Sequence, residues 1–163
     1  MNRKAAVVLM GAVVLLGGVG YATLRYVAVR QSHFCRACSR PVHQHSRAVA
    51  VVDGKRGFYC CPTCALSEHQ QSGQNVEVVE LTDHHGGGVL KPADSFVVRD
   101  SEVNMCQKQV PAISADKQPL HSHFDRCAPS ILAFGDRRRA EEFAREHGGQ
   151  VFRFTDLATS FRR

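Results

Sequence analysis

The sequence contains no tryptophan and only three tyrosines among its 163 residues. Large aromatic side chains bury much apolar surface, so a short chain with few of them forms a small core. Small folded units of this kind are usually stabilised by disulfides or by bound metal ions. The chain's seven cysteines can supply either. Its length allows one compact domain or two very small units.

Patterns typical of several functional classes are also missing. No Ser/His/Asp or paired-carboxylate arrangement indicates a hydrolase, and no glycine-rich loop for phosphate occurs. The net charge of +6 comes largely from the flanks of an apolar N-terminal segment, an arginine triplet at 137–139 and two C-terminal arginines. Because no aromatic residues interleave with these charges, they do not predict nucleic-acid binding. We therefore expect a protein that is not an enzyme and has neither a nucleic acid nor a small-molecule substrate as partner.

The N-terminus carries twenty residues without a charge, from Ala5 to Leu24. A helix of that length rises about 30 Å, enough to cross the bilayer core. This favours a retained transmembrane anchor, residues 1–29, over a cleaved signal peptide, whose apolar part is usually shorter. Charges on both flanks leave the orientation open. Because a cysteine-rich domain behind such an anchor is most often exported, we expect an inner-membrane protein with an extracytoplasmic, periplasmic C-terminal domain.

Two C-x-x-C pairs, Cys35/Cys38 and Cys61/Cys64, flank a predicted β-hairpin. Two cysteines three positions apart can turn both sulfurs toward one ion, and a second pair at the start of a helix can complete a tetrahedron. The spacing therefore predicts a closed four-thiolate metal site. It does not decide between Cu(I) and Zn(II).

Cys60 directly precedes the second pair. Successive side chains of a strand point to opposite faces, so a Cys61 directed at the metal predicts that Cys60 points away from it. Pro62 suits the first turn of the following helix, where an N–H would be unpaired.

A second group of soft ligands lies in the C-terminal half: Met105, Cys106, His121, His123 and Cys127. Thiolate, thioether and imidazole suit Cu(I) or Zn(II) better than calcium or magnesium. A Cys106–Cys127 disulfide closing a loop of about twenty residues is the competing interpretation. If the four-thiolate site is closed, this second site would be the exchangeable one, with a preference for Cu(I).

Hydrophobic patterns and turn signals predict an α+β fold in which the order strand, strand, helix, strand occurs twice. The first, cysteine-rich ββαβ unit spans residues 30–82, a glycine-rich linker spans 83–92, and the second unit spans 93–163. The predicted strands cover 48–52, 57–60, 76–81, 95–99, 131–134 and 151–154. The predicted helices run from Pro62 to about Gln71 and between Asp136 and Gly148.

The C-x-x-C at Cys35, the Asp-Gly-Lys at 53–55 before an aromatic strand, and the stretch A-E-E-F-A-R-E-H-G-G-Q-V-F-R-F at 140–154 resemble the NosL family. These are copper-binding accessory proteins of nitrous oxide reductase. The resemblance covers most of residues 33–158. It implies two ββαβ units that carry Cu(I) outside the cytoplasm to an acceptor cuproprotein.

The chain departs from the family pattern at three places. Ser39-Arg40 stand where the family has Gly-Met, and the family's Pro-Met-Gly falls near 126–128, where a thiolate replaces the thioether. The pair Cys61/Cys64 is an addition that resembles a heavy-metal-binding, zinc-type knuckle.

Three functions fit these observations. We favour a Cu(I) carrier or chaperone over a structural zinc-binding interaction module, which would need closed four-cysteine coordination. The sequence at 61–64, C-P-T-C, also resembles a thioredoxin-type redox motif at a helix N-terminus, where the helix dipole favours thiolate. The pair Cys35/Cys38 has no role in that chemistry, so a thiol–disulfide oxidoreductase is the third choice.

Overall fold

The computed structural model describes residues 3–106 and 126–161. Its helices are α1 (Arg3–His33), α2 (Pro62–Ser72), α3 (Arg137–His147) and α4 (Phe154–Phe161). Its strands are β1 (Ala48–Val52), β2 (Lys55–Tyr59), β3 (Val76–Thr82), β4 (Val89–Leu90), β5 (Phe96–Arg99), β6 (Ile131–Phe134) and β7 (Gln150–Arg153). They form two antiparallel sheets, in the orders β2-β1-β3-β4 and β6-β5-β7. The predicted α+β class is confirmed.

The two sheets have the same core topology. In each, the first strand in sequence is central, the second pairs on one side, and a helix leads to the third strand on the other side. The first pair closes with a two-residue turn between Val52 and Lys55, in which Asp53 and Gly54 have φ values of +48° and +79°. Positive φ at both positions matches the twist of a tight hairpin, and Asp-Gly is a preferred sequence for it.

The ends of the two predicted helices agree with their capping residues. Helix α2 begins at Pro62 and is followed by Gly73 in the left-handed conformation, with φ of +68°. Helix α3 begins after Asp136, whose side chain accepts a hydrogen bond from the Arg139 N–H, and ends before Gly148. The sequence therefore contained the start and stop signals of both helices.

Helix α4 was not predicted, because the last strand was expected to continue to Phe154. The structure ends that strand at Arg153 and starts the helix at Phe154. Phe154 and Leu157 are buried, and Phe161 packs against the same core. Their spacing of three and four residues is that of a helix with one apolar face, which is a signal present in the sequence.

The segment 83–92 contacts both sheets. After its three glycines, β4 pairs with the end of β3. Asp83 forms a parallel bridge with Ala133 of β6, and the His84 N–H donates a 2.8 Å hydrogen bond to the Ala133 carbonyl. These bonds join the chain after β3 of the first sheet to β6, an edge strand of the second sheet.

Strand β6 shows how the second sheet is covered on both faces. Ile131 and Ala133 belong to a core cluster shared with β1, α2 and α4, whereas Leu132 and Phe134 pack with Ala140 of α3 in a second cluster. Alternate side chains of a strand point to opposite faces, so all four residues are buried. The first cluster therefore links the two ββαβ units through one continuous core.

Helix α1 extends past the predicted apolar run and ends at His33, two residues before Cys35. Its residues Met10–Val29 are long and apolar enough to cross a membrane, with a mean hydropathy of 1.6. No part of this segment is buried against the protein, and Leu15 and Leu16 are 71% and 75% exposed. By length and composition the helix fits a membrane anchor or a signal sequence.

Leu81 offers a test of the shared core. It is fully buried in β3, whereas Val89, which lies on the neighbouring β4, is 63% exposed. We expect Leu81→Ala to reduce the free energy of unfolding by about 2–5 kcal/mol, because it leaves a cavity in a packed core. Val89→Ala is the matched control and should change the free energy by less than about 0.5 kcal/mol. Urea unfolding of the full chain in detergent measures both, and equal effects would contradict this description of the core.

Candidate metal centre

All seven cysteines of the chain converge where the two ββαβ units meet. Their thiols are free, and all except that of Cys38, which is half-buried, are buried. We call this group the thiol cluster; its members are Cys35, Cys38, Cys60, Cys61, Cys64, Cys106 and Cys127.

The first two thiols are positioned by a tight loop, residues 34–41, which we call the knuckle loop. The Cys35 N–H donates to the Arg40 carbonyl at 2.8 Å, and the Ser39 N–H donates to the Cys35 carbonyl at 2.9 Å. These bonds turn Cys35 and Cys38 to the same side. The loop lies against β2, where the Arg36 N–H donates to the Phe58 carbonyl at 2.8 Å. A Cβ on Gly57 would come within 2.9 Å of the Arg36 side chain, so glycine permits this close approach.

The next three thiols lie where β2 ends and α2 begins. Cys61 precedes the helix in an extended conformation, and Cys64 lies in its first turn. The Cys60 sulfur is 3.9 Å from that of Cys61 and 3.7 Å from that of Cys64. The sharp change from strand to helix thus brings three thiols of five consecutive residues to one place.

The last two thiols come from the connection between β5 and β6, and Asn104 holds both ends of it. Its side-chain amide donates to the Cys127 carbonyl at 3.1 Å, while its oxygen accepts from the Cys106 N–H at 3.0 Å. The Cys127 sulfur lies 3.5 Å from Cys64 and 3.6 Å from Cys60. Cys106 is buried in the same core cluster as Cys60, Cys61 and Cys127.

Two arginines connect the knuckle loop to the segments that carry Cys106 and Cys127. One of them lies in the loop and donates to these segments, and the other lies beside Cys127 and donates to the loop. The Arg40 guanidinium donates to the Cys127 sulfur and to the Cys106 carbonyl, both at 3.2 Å. The Arg126 guanidinium donates to the Ala37 carbonyl. Arg40 also places a fixed positive charge beside the cluster, where it favours ionised thiols.

The thiols share protons unevenly, because clustered thiolates repel one another. Hydrogen bonds from neighbouring thiols lower the pKa of Cys35, Cys61 and Cys127 from its ordinary value. The same hydrogen bonds raise the pKa of Cys60, Cys64 and Cys106. Burial raises the pKa of Cys38 to about 11. A thiophilic cation that enters must therefore displace protons from the thiols with raised pKa.

Two overlapping sets of four thiols could each hold a metal ion. One set is Cys35, Cys38, Cys60 and Cys64, and the other is Cys60, Cys61, Cys64 and Cys127; within each, all sulfurs lie within 4.8 Å of one another. Each set contains thiolate precursors alone, without carboxylate or imidazole. Such a donor set suits Cu(I) and Zn(II) and does not suit magnesium or calcium.

The predicted orientation of Cys60 is wrong. We expected it to point away from the other thiols, but its sulfur is also 3.5 Å from that of Cys38. Strand β2 ends at Tyr59, so the alternation of side chains that directed the expectation no longer applies at Cys60.

The predicted separation into two sites also differs from the structure. Cys127, placed by the sequence in a second site, is 4.0 Å from Cys38 and belongs to the same cluster as the C-x-x-C pairs. Met105 instead is partly buried and packs against the second core cluster, which contains Val98 and Leu132. Cys106 and Cys127 are not joined by a disulfide, and His121 and His123 lie outside the described residues.

The cluster meets solvent at the knuckle loop. Cys38 is half-buried there, and a groove of about 880 Å³ runs between the end of α1 and β2, with Cys35 and Ser39 in its wall. Basic side chains, Arg36, Lys55 and Arg56, line the same groove. A ligand that approaches the cluster along this side would reach the knuckle loop first.

No family model and no curated protein matches this chain. Among solved structures, the chain is similar to the copper chaperone NosL from Shewanella denitrificans, with a TM-score of 0.51. The match has 14% sequence identity and covers 77% of this chain and 90% of that chain. At this identity the likeness shows that the fold is NosL-like.

The proximity of Cys127 to the second C-x-x-C pair can be tested without a metal. A short bifunctional thiol reagent, applied anaerobically to the full chain, should bridge Cys127 to Cys60 or Cys64, since these sulfurs lie 3.6 and 3.5 Å apart. Peptide mass spectrometry identifies the products. A denatured sample is the control and should favour bridges within 60–64, between cysteines close in sequence. Absence of bridges to Cys127 in the native sample would contradict the convergence of the two units.

Proposed function

We propose that this protein is a membrane-anchored, extracytoplasmic carrier of Cu(I) in the NosL family, which delivers the ion to an acceptor cuproprotein. The observation that supports it most directly is the thiol cluster itself. Six sulfurs from three separate parts of the chain form two overlapping sets, and each set of four offers soft ligands alone. Soft thiolates select Cu(I) and Zn(II) over hard cations.

The NosL-like fold supports copper over zinc as the cargo. The structural neighbour is described as a copper chaperone, and the sequence resemblance at 140–154 points to the same family. The departure at Ser39-Arg40 removes a soft thioether, whereas at Cys127 a thiolate, which is at least as soft as a thioether, takes the place of one. We therefore assign Cu(I) as the transported ion and leave Zn(II) as the competitor.

The position of α1 supports an anchored protein. Its apolar segment is exposed along its length, and helix α1 continues to His33, directly before the knuckle loop. An anchored helix would therefore hold the knuckle loop close to the membrane surface. Periplasmic copper would be bound and passed on at that surface, from the basic groove that includes Cys35.

A structural zinc module is the second candidate, because six of the seven thiols are buried. Structural zinc sites are closed in this way, while a carrier must exchange its ion. The same burial opposes the redox alternative. Cys61 is 5% exposed and Cys64 is fully buried, so neither thiolate can readily reach the disulfide of a substrate protein.

Competition for Cu(I) distinguishes these candidates. Full-length protein purified anaerobically in detergent should take Cu(I) from a chromogenic chelator and should release it to a second, stronger chelator while remaining folded. A structural zinc module would retain Zn(II) under the same conditions and would unfold when a chelator removed it. Retention of zinc in the presence of equimolar Cu(I) would reject the carrier function.

Asn104 should set the copper affinity without being a ligand. Because it hydrogen-bonds both Cys106 and Cys127, its loss should misplace two thiols, and outer-shell partners are typically worth about 10–100-fold in metal affinity. We expect Asn104→Ala to weaken Cu(I) binding by about that factor in the chelator assay.

Asn75→Ala is the matched control, because Asn75 is an exposed residue before β3. It should leave the copper affinity unchanged. Equal Cu(I) affinities of wild type and Asn104→Ala would show that Cys106 and Cys127 do not contribute to copper binding.

A further inference from the structure

We propose that the thiol cluster binds two Cu(I) ions in one dinuclear centre, with Cys60 and Cys64 as bridging thiolates. This inference rests on the proposed copper carriage and extends it to the number of ions and the role of each thiol. Its basis is that the two sets of four thiols share these two residues.

The sulfur positions fit metal coordination in both sets. A metal–sulfur distance of about 2.3 Å implies sulfurs about 3.8 Å apart in a tetrahedron. In the first set, the Cys60 sulfur is 3.5 Å from Cys38 and 3.7 Å from Cys64. In the second set it is 3.6 Å from Cys127 and 3.9 Å from Cys61, and the Cys64 and Cys127 sulfurs are 3.5 Å apart. Each set therefore fits a tetrahedron of sulfurs around one ion, and the two tetrahedra share the edge between the Cys60 and Cys64 sulfurs.

The shared edge lies at the centre of the cluster. Cys60 and Cys64 have no exposed surface, and each lies between thiols of the knuckle loop and thiols near α2 and Cys127. One metal ion could use only one set and would leave at least two more thiols nearby without a cation. A second ion uses them, which explains why the chain places more than four cysteines at one point.

Charge also favours bridging. Each buried thiolate must be compensated by a cation, because an unpaired buried charge is costly. A bridging thiolate contacts two Cu(I) ions at once, so two ions that share Cys60 and Cys64 require six ionised thiols, whereas two separate four-thiolate sites would require eight. The guanidinium of Arg40, 3.2 Å from the Cys127 sulfur, compensates part of the remaining charge.

Copper stoichiometry and copper X-ray absorption of the full chain test the proposal together. Protein purified anaerobically in detergent is titrated with Cu(I), then separated from excess copper in the presence of a weak chelator. We expect two copper ions per chain, a copper–sulfur first shell and a copper–copper scattering contribution. One copper per chain without copper–copper scattering would overturn the dinuclear centre but leave the proposed carriage intact. Failure to retain any Cu(I) would reject both.

Variants separate bridging from terminal thiols. Cys35→Ser alters only the first set, so it should lower the stoichiometry from two to one and leave the remaining ion at wild-type affinity. Cys60→Ser alters both sets, so it should also lower the stoichiometry to one but weaken the remaining ion at least tenfold. Ser67→Ala, a buried change one helical turn after Cys64, is the control and should keep two ions.

The wild-type measurement decides the stoichiometry even if a variant fails to fold, and circular dichroism identifies such a variant. Two coppers with copper–copper scattering in Cys60→Ser would overturn its role as a bridge. If the single remaining ion bound with equal affinity in Cys35→Ser and Cys60→Ser, the bridging role of Cys60 would also be overturned.

Discussion

The contact between the first turn of α2 and the chain just before β6 holds the two halves of the metal centre together. The Thr63 hydroxyl donates a 2.6 Å hydrogen bond to the Pro129 carbonyl, and the Cys64 thiol lies 3.5 Å from the Arg126 carbonyl. Thr63 is fully buried, so water cannot replace this bond, and its loss would leave a buried carbonyl unsatisfied. Without the contact, Cys127 would separate from the thiols of α2. The candidate metal centre therefore depends on the docking of the two units, which share one core.

The sequence predicted those units better than it predicted their junction. Strand β6 and the caps of α2 and α3 follow from local signals, namely a continuous apolar run, Asp136 and the two terminal glycines. The pairing of Cys64 with Cys127 does not, because it joins residues 63 positions apart through the packing of two sheets. No local pattern specifies that distance. Soft ligands in each half were visible, but a sequence without tertiary structure presents them as two sites.

The positions of Cys60 and Met105 were predicted incorrectly, and each error has a simple physical cause. Alternation along a strand correctly describes β2 as far as Tyr59, but a strand that turns directly into a helix places Cys60 and Cys61 on the same side, with sulfurs 3.9 Å apart. Met105 and Cys106, by contrast, do separate to two sides of the chain, so that Met105 joins the apolar cluster around Leu132. A thioether is apolar enough for a core position. The softness of the Met105 thioether as a metal ligand therefore did not show whether the side chain lies at a metal site or in the core.

Burial and exchange make opposite demands on a metal carrier, and the knuckle loop shows how both can be met. Six thiols are buried, which would protect a bound ion from water and oxidants, while Cys38 is half-buried at the surface. The loop that carries it is held to the late cysteines by hydrogen bonds from Arg40 and Arg126, each worth roughly 1–3 kcal/mol. If the protein carries Cu(I) as we propose, transfer should begin at Cys38, where a thiolate or thioether of the acceptor can replace it, while Cys60 and Cys64 keep their positions in the core.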